Sequence, residues 1–136
     1  MRFMMLMFPG PDAEAGKMPD AKLVGAMMKY NEELTKAGVL LALDGLHPTA
    51  KGARVRFSGG KGRASDGPFT EAKEVVGGYW LIQAKSREEA IEWATRVPAL
   101  DGDMIEVRQV FEMTDFPAEV RDEAAEKRVA AGLPKK

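Results

Sequence analysis

The chain has 136 residues, 45% of them hydrophobic, with 20 basic against 21 acidic side chains and a formal charge of -1. That length supports one core, and the near-neutral balance draws in neither a polyanion nor an anionic lipid surface, so neither nucleic acid nor a membrane is an expected partner. Cysteine is absent, which removes disulfides, thiolate metal ligands and a cysteine nucleophile together.

Residues 2–8 read as a buried strand: after Arg2 the run Phe3-Met4-Met5-Leu6-Met7-Phe8 is apolar at every position and stops at Pro9-Gly10-Pro11. The run is too short to span a bilayer and lacks both a signal h-region and a small-residue cleavage site, so residence in the cytoplasm is expected. Residues 12–19 read as a loop. Pro19-Asp20 then opens a helix whose apolar positions are Val24, Met27, Met28, Leu34 and Ala37, with Gly38 as its left-handed stop.

Val39 to Leu43 is a second strand, followed by the breakers Asp44-Gly45 and His47-Pro48. Alternation from Arg54 to Ser58 sets Val55 and Phe57 on one face and the arginines on the other, and Gly59-Gly60 turns the chain back through Lys61 to Ser65 as a hairpin. Asp66-Gly67-Pro68-Phe69 is a rigid corner, with Gly67 supplying unusual dihedrals and Asp66 suited to bond its own backbone. Tyr79-Trp80-Leu81-Ile82 is a central strand. Ser86 with Glu89 caps a second long helix bearing Ala90, Ile91, Trp93, Ala94 and Val97, and a last strand runs near Met104 to Phe111. Asp115-Phe116-Pro117 is positioned to cap a charged third helix reaching about Ala131.

This order predicts an α+β fold, a ferredoxin-like split βαβ plait with an inserted or extended hairpin. Two helices cover only one face of such a sheet, whereas the strands around Phe3 and Tyr79 are apolar on both. A homodimer is therefore the expected cover for the other face, the alternative being that the terminal helix folds back over it.

The run Asp66-Gly67-Pro68-Phe69-Thr70-Glu71-Ala72-Lys73-Glu74 with Gly77-Gly78-Tyr79 resembles the signature of the DGPF branch of the YCII-related family. Arg2-Phe3-Met4, Ala37-Gly38-Val39-Leu40, Ser86-Arg87-Glu88-Glu89-Ala90 and Glu106-Val107-Arg108 extend the likeness over nearly all of residues 1–111. A domain over residues 1–113 with a helical extension over 114–136 is the division this suggests. The resemblance implies a ferredoxin-like plait whose dimers form an α/β barrel with a cleft at each sheet end. It also implies mostly unassigned functions, with a His-Asp catalytic pair proposed for some small members. Their histidine lies near the first helix, whereas this chain's single histidine is His47, in a loop.

His47 is the acid-base candidate, since imidazole exchanges protons near neutral pH, with Asp66 or Asp44 available to orient the ring. Glu71 can face a cleft and Lys73 can supply a counter-charge; with Asp44, Phe69 and Tyr79 they form the expected substrate-contacting set. Each has a plainer reading: a solvent-facing loop histidine, an Asx-turn aspartate, solubilising charge, core aromatics. One histidine, no cysteine, no calcium-loop spacing and no His-Glu-x-x-His motif predict no metal, and the lack of a P-loop or dinucleotide fingerprint predicts no cofactor. Three classes remain open: a small-molecule enzyme, a ligand-binding or regulatory dimer, and an interaction module.

Overall fold

A computed structural model describes residues 1–69 and 74–134 of the protein. Ten elements follow in chain order: β1 (Arg2–Phe8), α1 (Pro11–Glu14), α2 (Ala21–Lys36), β2 (Leu40–Gly45), β3 (Ala53–Ser58), β4 (Lys61–Asp66), β5 (Gly78–Gln83), α3 (Arg87–Thr95), β6 (Met104–Gln109) and α4 (Glu123–Gly132). Two sheets result, one of four strands in the order β2-β5-β1-β6 and one of the two strands β3-β4. All pairings are antiparallel. No helix among the described residues is long and apolar enough to cross a membrane.

The pleat of β1 divides the large sheet into two unlike faces. Phe3 and Met5 point to the helices with their partners Ile82 and Trp80, and together with Tyr30, Leu34 and Ala90 they are buried. Met4 and Leu6 sit opposite Leu81 and Tyr79, and all four remain only half-buried, because neither α2 nor α3 lies on their side. Phe3 and Tyr79 therefore belong to opposite faces of the sheet.

α2 begins at Asp20, whose carboxylate accepts the Leu23 N–H at 2.8 Å, and closes against Gly38 at φ 73°. Its inward stripe is Met27, Tyr30 and Leu34; Val24 and Met28, expected inside, are 44% and 56% exposed because they point about 90° and about 130° of helix rotation away from the middle of that stripe. Tyr30 meets Trp80 and Trp93 edge-on at 5.8 and 6.5 Å. Its hydroxyl donates to the Trp93 carbonyl at 2.7 Å, and burial pushes the phenol up to about 12. The Trp80 indole N–H donates to Asn31 Oδ1 at 2.8 Å, so the aromatic core leaves no buried polar side chain unpaired among the described residues.

Ser86 caps α3 as expected, its hydroxyl accepting the Glu89 N–H at 3.1 Å, while Glu89 reaches back to the Lys85 N–H at 2.9 Å. The chain end departs from expectation. Asp115 closes a 3-10 turn by accepting the Glu112 N–H at 2.8 Å, and it is Asp122 that caps α4, through the Ala125 N–H at 2.9 Å. Residues 12–14, read as loop, form the short α1, whose Pro11 occupies a first-turn position where its missing N–H costs nothing.

The dimeric α/β barrel implied by the family likeness is not the architecture found. The four-stranded sheet is open and uncurled, ending in β2 and β6, and the β3-β4 hairpin pairs only with itself as a separate sheet. What stands is an α+β chain with an open sheet and a detached ribbon. Gly59 and Gly60, at φ 59° and 76°, make the tight turn of that ribbon.

The corner after β4 also works differently from the expectation. Gly67 has no positive φ; a side chain is excluded there because a Cβ would collide with the carbonyl oxygen of Thr49, while the Gly67 N–H donates to the Gly52 carbonyl at 3.1 Å. Gly67→Ala is expected to destabilise the fold by about 1–3 kcal/mol, the usual scale of overpacking, as read from urea unfolding. An unchanged midpoint and slope would show that the Thr49 turn yields freely.

Candidate functional site

The segment after β1, the loop after β2 and the loop before β5 line a cavity of about 130 Å³, whose walls include Met7, Glu14, Leu46, His47, Val75 and Gly77. Its backbone is pinned by two bonds: Gly77 N–H to the Met7 carbonyl at 2.7 Å and Leu46 N–H to the Gly77 carbonyl at 2.9 Å. A Cβ on Gly77 would meet the Pro9 ring at 2.7 Å, so only glycine lets these loops close together. The walls are otherwise mostly apolar, and among the described residues Glu14 and His47 are the ionisable groups of the lining.

Glu14, at the last residue of α1, was not among the expected site residues. One carboxylate oxygen accepts the Thr49 N–H at 2.7 Å and the other accepts the Thr49 hydroxyl. Thr49 Oγ1 accepts in turn from the Phe69 N–H at 3.0 Å. The Arg54 guanidinium lies 3.8 Å over the Phe69 ring, closing a chain of contacts from α1 through the Thr49 turn to the base of the hairpin. The Thr49 hydroxyl, then the Thr49 N–H, and least of all the Arg54 charge hold the Glu14 carboxyl below its usual range, against a partial desolvation. The signal for Glu14 was present in the sequence as Pro11-Asp12-Ala13-Glu14, a proline followed by acidic residues in a first helical turn. Nothing local marked Thr49 and Arg54, which meet their partners only through tertiary folding.

The expected residues divide as follows. His47 is exposed at the cavity, and among the described residues its side chain has no hydrogen-bonding or ion-pairing partner. Asp44 and Tyr79 come together across β2 and β5, the phenol donating to Asp44 Oδ2 at 2.6 Å, and this bond, before desolvation and the carboxylate charge, raises the Tyr79 phenol above its usual range. Phe69 joins the Thr49 contacts. Asp66 ends β4, exposed and outside the cavity lining, and makes no side-chain hydrogen bond among the described residues, so neither the Asx turn nor an Asp66–His47 pair is formed. Glu71 and Lys73 lie outside the described residues. Also among the described residues, no group of three His, Asp or Glu side chains converges as metal ligands do.

Three likenesses bear on this arrangement. Residues 1–114 match the model of the YCII-related domain. An uncharacterized protein of Rhizobium meliloti (strain 1021) is 33% identical over 78 residues, 57% of this chain, and the chain spans 63% of that relative's length. Among solved structures, the 5-chloro-2-hydroxyhydroquinone dehydrochlorinase of Burkholderia phenoliruptrix AC1100, in complex with 2,5-dihydroxybenzoquinone, is similar over 82% of this chain and 96% of its own, with 14% identity and a TM-score of 0.45.

The depressed Glu14 carboxyl makes a signed statement about pH. A carboxylate held below its unfolded value stabilises the fold above the unfolded pKa, and that contribution is lost as pH falls through the folded pKa. Wild type is therefore expected to lose stability more steeply on acidification than Glu14→Gln, the two curves converging below the folded pKa of Glu14. Parallel curves in urea unfolding from neutral to acidic pH would place the carboxylate outside the fold's balance.

Proposed function

Because the chain belongs to the YCII-related domain family, we propose that it acts on a small molecule held at the sheet end, with His47 as the proton donor and acceptor. The observation that carries this reading is that His47 and Glu14 share one small, mostly apolar cavity. Imidazole is the side chain suited to move a proton at neutral pH, and low polarity around a bound molecule strengthens every charge and hydrogen bond directed at it. Glu14 has a fixed role: with both oxygens engaged by Thr49, and its carboxyl held below the usual range by those bonds, it is a charged part of the wall at neutral pH rather than a free base.

Asp66, standing outside the lining, does not enter the proposed mechanism. Asp44 and Tyr79 present a carboxylate-bound phenol on the adjoining face, whose oxygen, its proton held by Asp44, is suited to accept from a hydroxyl or amine of a larger substrate. Glu71 and Lys73 are proposed as further contacts, as their positions just after Phe69 suggest. The volume of about 130 Å³ suits a few heavy atoms, one reactive end of a substrate whose remainder lies outside.

One observation favours a second reading, ligand binding without turnover: no described carboxylate orients His47. Both readings include a homodimer covering the Met4, Leu6 and Leu81 face, and residence in a reducing compartment such as the cytoplasm, in keeping with a cysteine-free chain.

A fragment screen by NMR, with hits mapped to the Val75–Gly77 amides and then assayed for turnover, separates the readings. His47→Asn is expected to bind such hits within a few-fold of wild type while losing turnover by about 10²–10⁴-fold, the usual worth of a general acid-base group. Full turnover in a folded His47→Asn rejects the acid-base role. Binding without turnover in wild type establishes the second reading.

A further inference from the structure

Among the described residues, two apolar surfaces are left without a helix packed on them. One is the outer face of the large sheet. Its register sets Asp44, Tyr79, Leu6 and Glu106 in one row across the four strands, and Ala42, Leu81, Met4 and Arg108 in the next. The centre is apolar and aromatic, and the first row ends in a carboxylate on each edge.

The other is the β3-β4 ribbon. Val55 and Phe57, opposite Ala64 and Gly62, line one of its faces and are 54% and 79% exposed. A Cβ on Gly62 would come within 2.9 Å of the Phe57 ring, so glycine is what allows the phenylalanine to lie flat across its partner strand. A two-stranded ribbon is marginal in water unless an apolar face packs on something. Among the described residues, its only substantial element-to-element packing is between its own two strands.

Charge points the same way. Residues 51–66 carry five cations, Lys51, Arg54, Arg56, Lys61 and Arg63, against Asp66. That gives +4 in a chain whose total is -1, leaving -5 on the remainder. A basic ribbon and an acidic body of the same protein attract one another between molecules.

We propose that the β3-β4 ribbon is an exchanged arm, laying its Val55/Phe57 face on the Met4, Leu6 and Leu81 surface of a second copy of this chain. The proposal rests on the homodimer reading above and specifies which segment makes the interface. The arginines of the opposite ribbon face stay outward, with Asp44 and Glu106 as carboxylates at the rim. Because Arg54 at the ribbon's base stacks on Phe69, and Phe69 bonds to the threonine that holds Glu14, the arm of one subunit is anchored at that same subunit's cavity wall.

Sedimentation velocity on the full chain, wild type against Val55→Ser/Phe57→Ser, tests this. Both residues are exposed, so the variant keeps its core, which circular dichroism and urea unfolding check. The expected result is a wild-type dimer whose dissociation constant rises at least about tenfold in the variant, as for loss of an aromatic anchor. A wild-type dimer with the same constant in the variant overturns the arm and leaves the homodimer reading intact; a monomer across micromolar concentrations removes both. Since the chain has no cysteine, single Phe57→Cys and Leu81→Cys chains can be mixed and oxidised. A disulfide between the two kinds of chain is expected. Cross-linking only within a doubly substituted monomer would show that the ribbon covers its own sheet, and would overturn the exchange.

Discussion

The fold depends on one contact layer: Phe3 and Met5 of β1, with Trp80 and Ile82 of β5, packed under Tyr30 and Leu34 of α2. Leu34, Met5 and Ile82 are fully sealed, and Phe3 and Tyr30 nearly so. Everything else is placed relative to this layer. The helices dock on it, β2 and β6 add to either side of its two central strands, and the cavity is lined by segments that adjoin β1, β5 and the edge strand β2. Because side chains alternate along a strand, sealing Phe3 and Met5 obliges Met4 and Leu6 to face the other way. The bare outer face is thus a direct cost of the covered inner one.

At the sheet end the dominant device is a small polar relay and not a hydrophobic one. Glu14, Thr49 and Phe69 belong to three segments far apart in sequence, yet the Thr49 hydroxyl serves as donor to one and acceptor to the other. Gly67 lets the corner press against the Thr49 carbonyl, and Gly77 lets the following loop press against Pro9. Two glycines and one threonine therefore set the distance between the walls. The ionisable groups inside, His47 and Glu14, differ in that one is engaged on both oxygens and the other is without a described partner.

Much of the fold was legible because its signals are local. The proline-terminated apolar run of β1, Asp20 and Ser86 at the starts of α2 and α3, the Gly59-Gly60 turn and the alternation in β3 each declare an element within a few residues. Where the reading failed, the deciding physics was non-local. Val24 and Met28 have the right spacing for a core stripe, but the sheet lies under Met27, Tyr30 and Leu34 instead. Phe3 and Tyr79 are both aromatic strand residues, yet only inter-strand register shows that they face opposite ways. The barrel came from family likeness, and an open four-stranded sheet replaced it. Of the site, the polar loop around His47 could be read from its histidine and proline. Pro11 to Glu14 signals a first helical turn but not what Glu14 holds, and Thr49 and Arg54 carry no local signal, since what distinguishes all three is whom they touch.

The aromatic core gives the protein an intrinsic optical label. Its two tryptophans report different places: Trp80 is sealed in the central layer with its indole N–H held by Asn31, and Trp93 is half-buried beneath the Arg96 guanidinium at 4.3 Å. Emission from the first belongs to a dry, immobile indole and shifts to the red only when the β1-β5 layer parts. Emission from the second, edge-on to Tyr30 and next to a cation, responds to smaller displacements of α3. Loosening of one helix and loss of the whole core are therefore separate spectroscopic events in this chain.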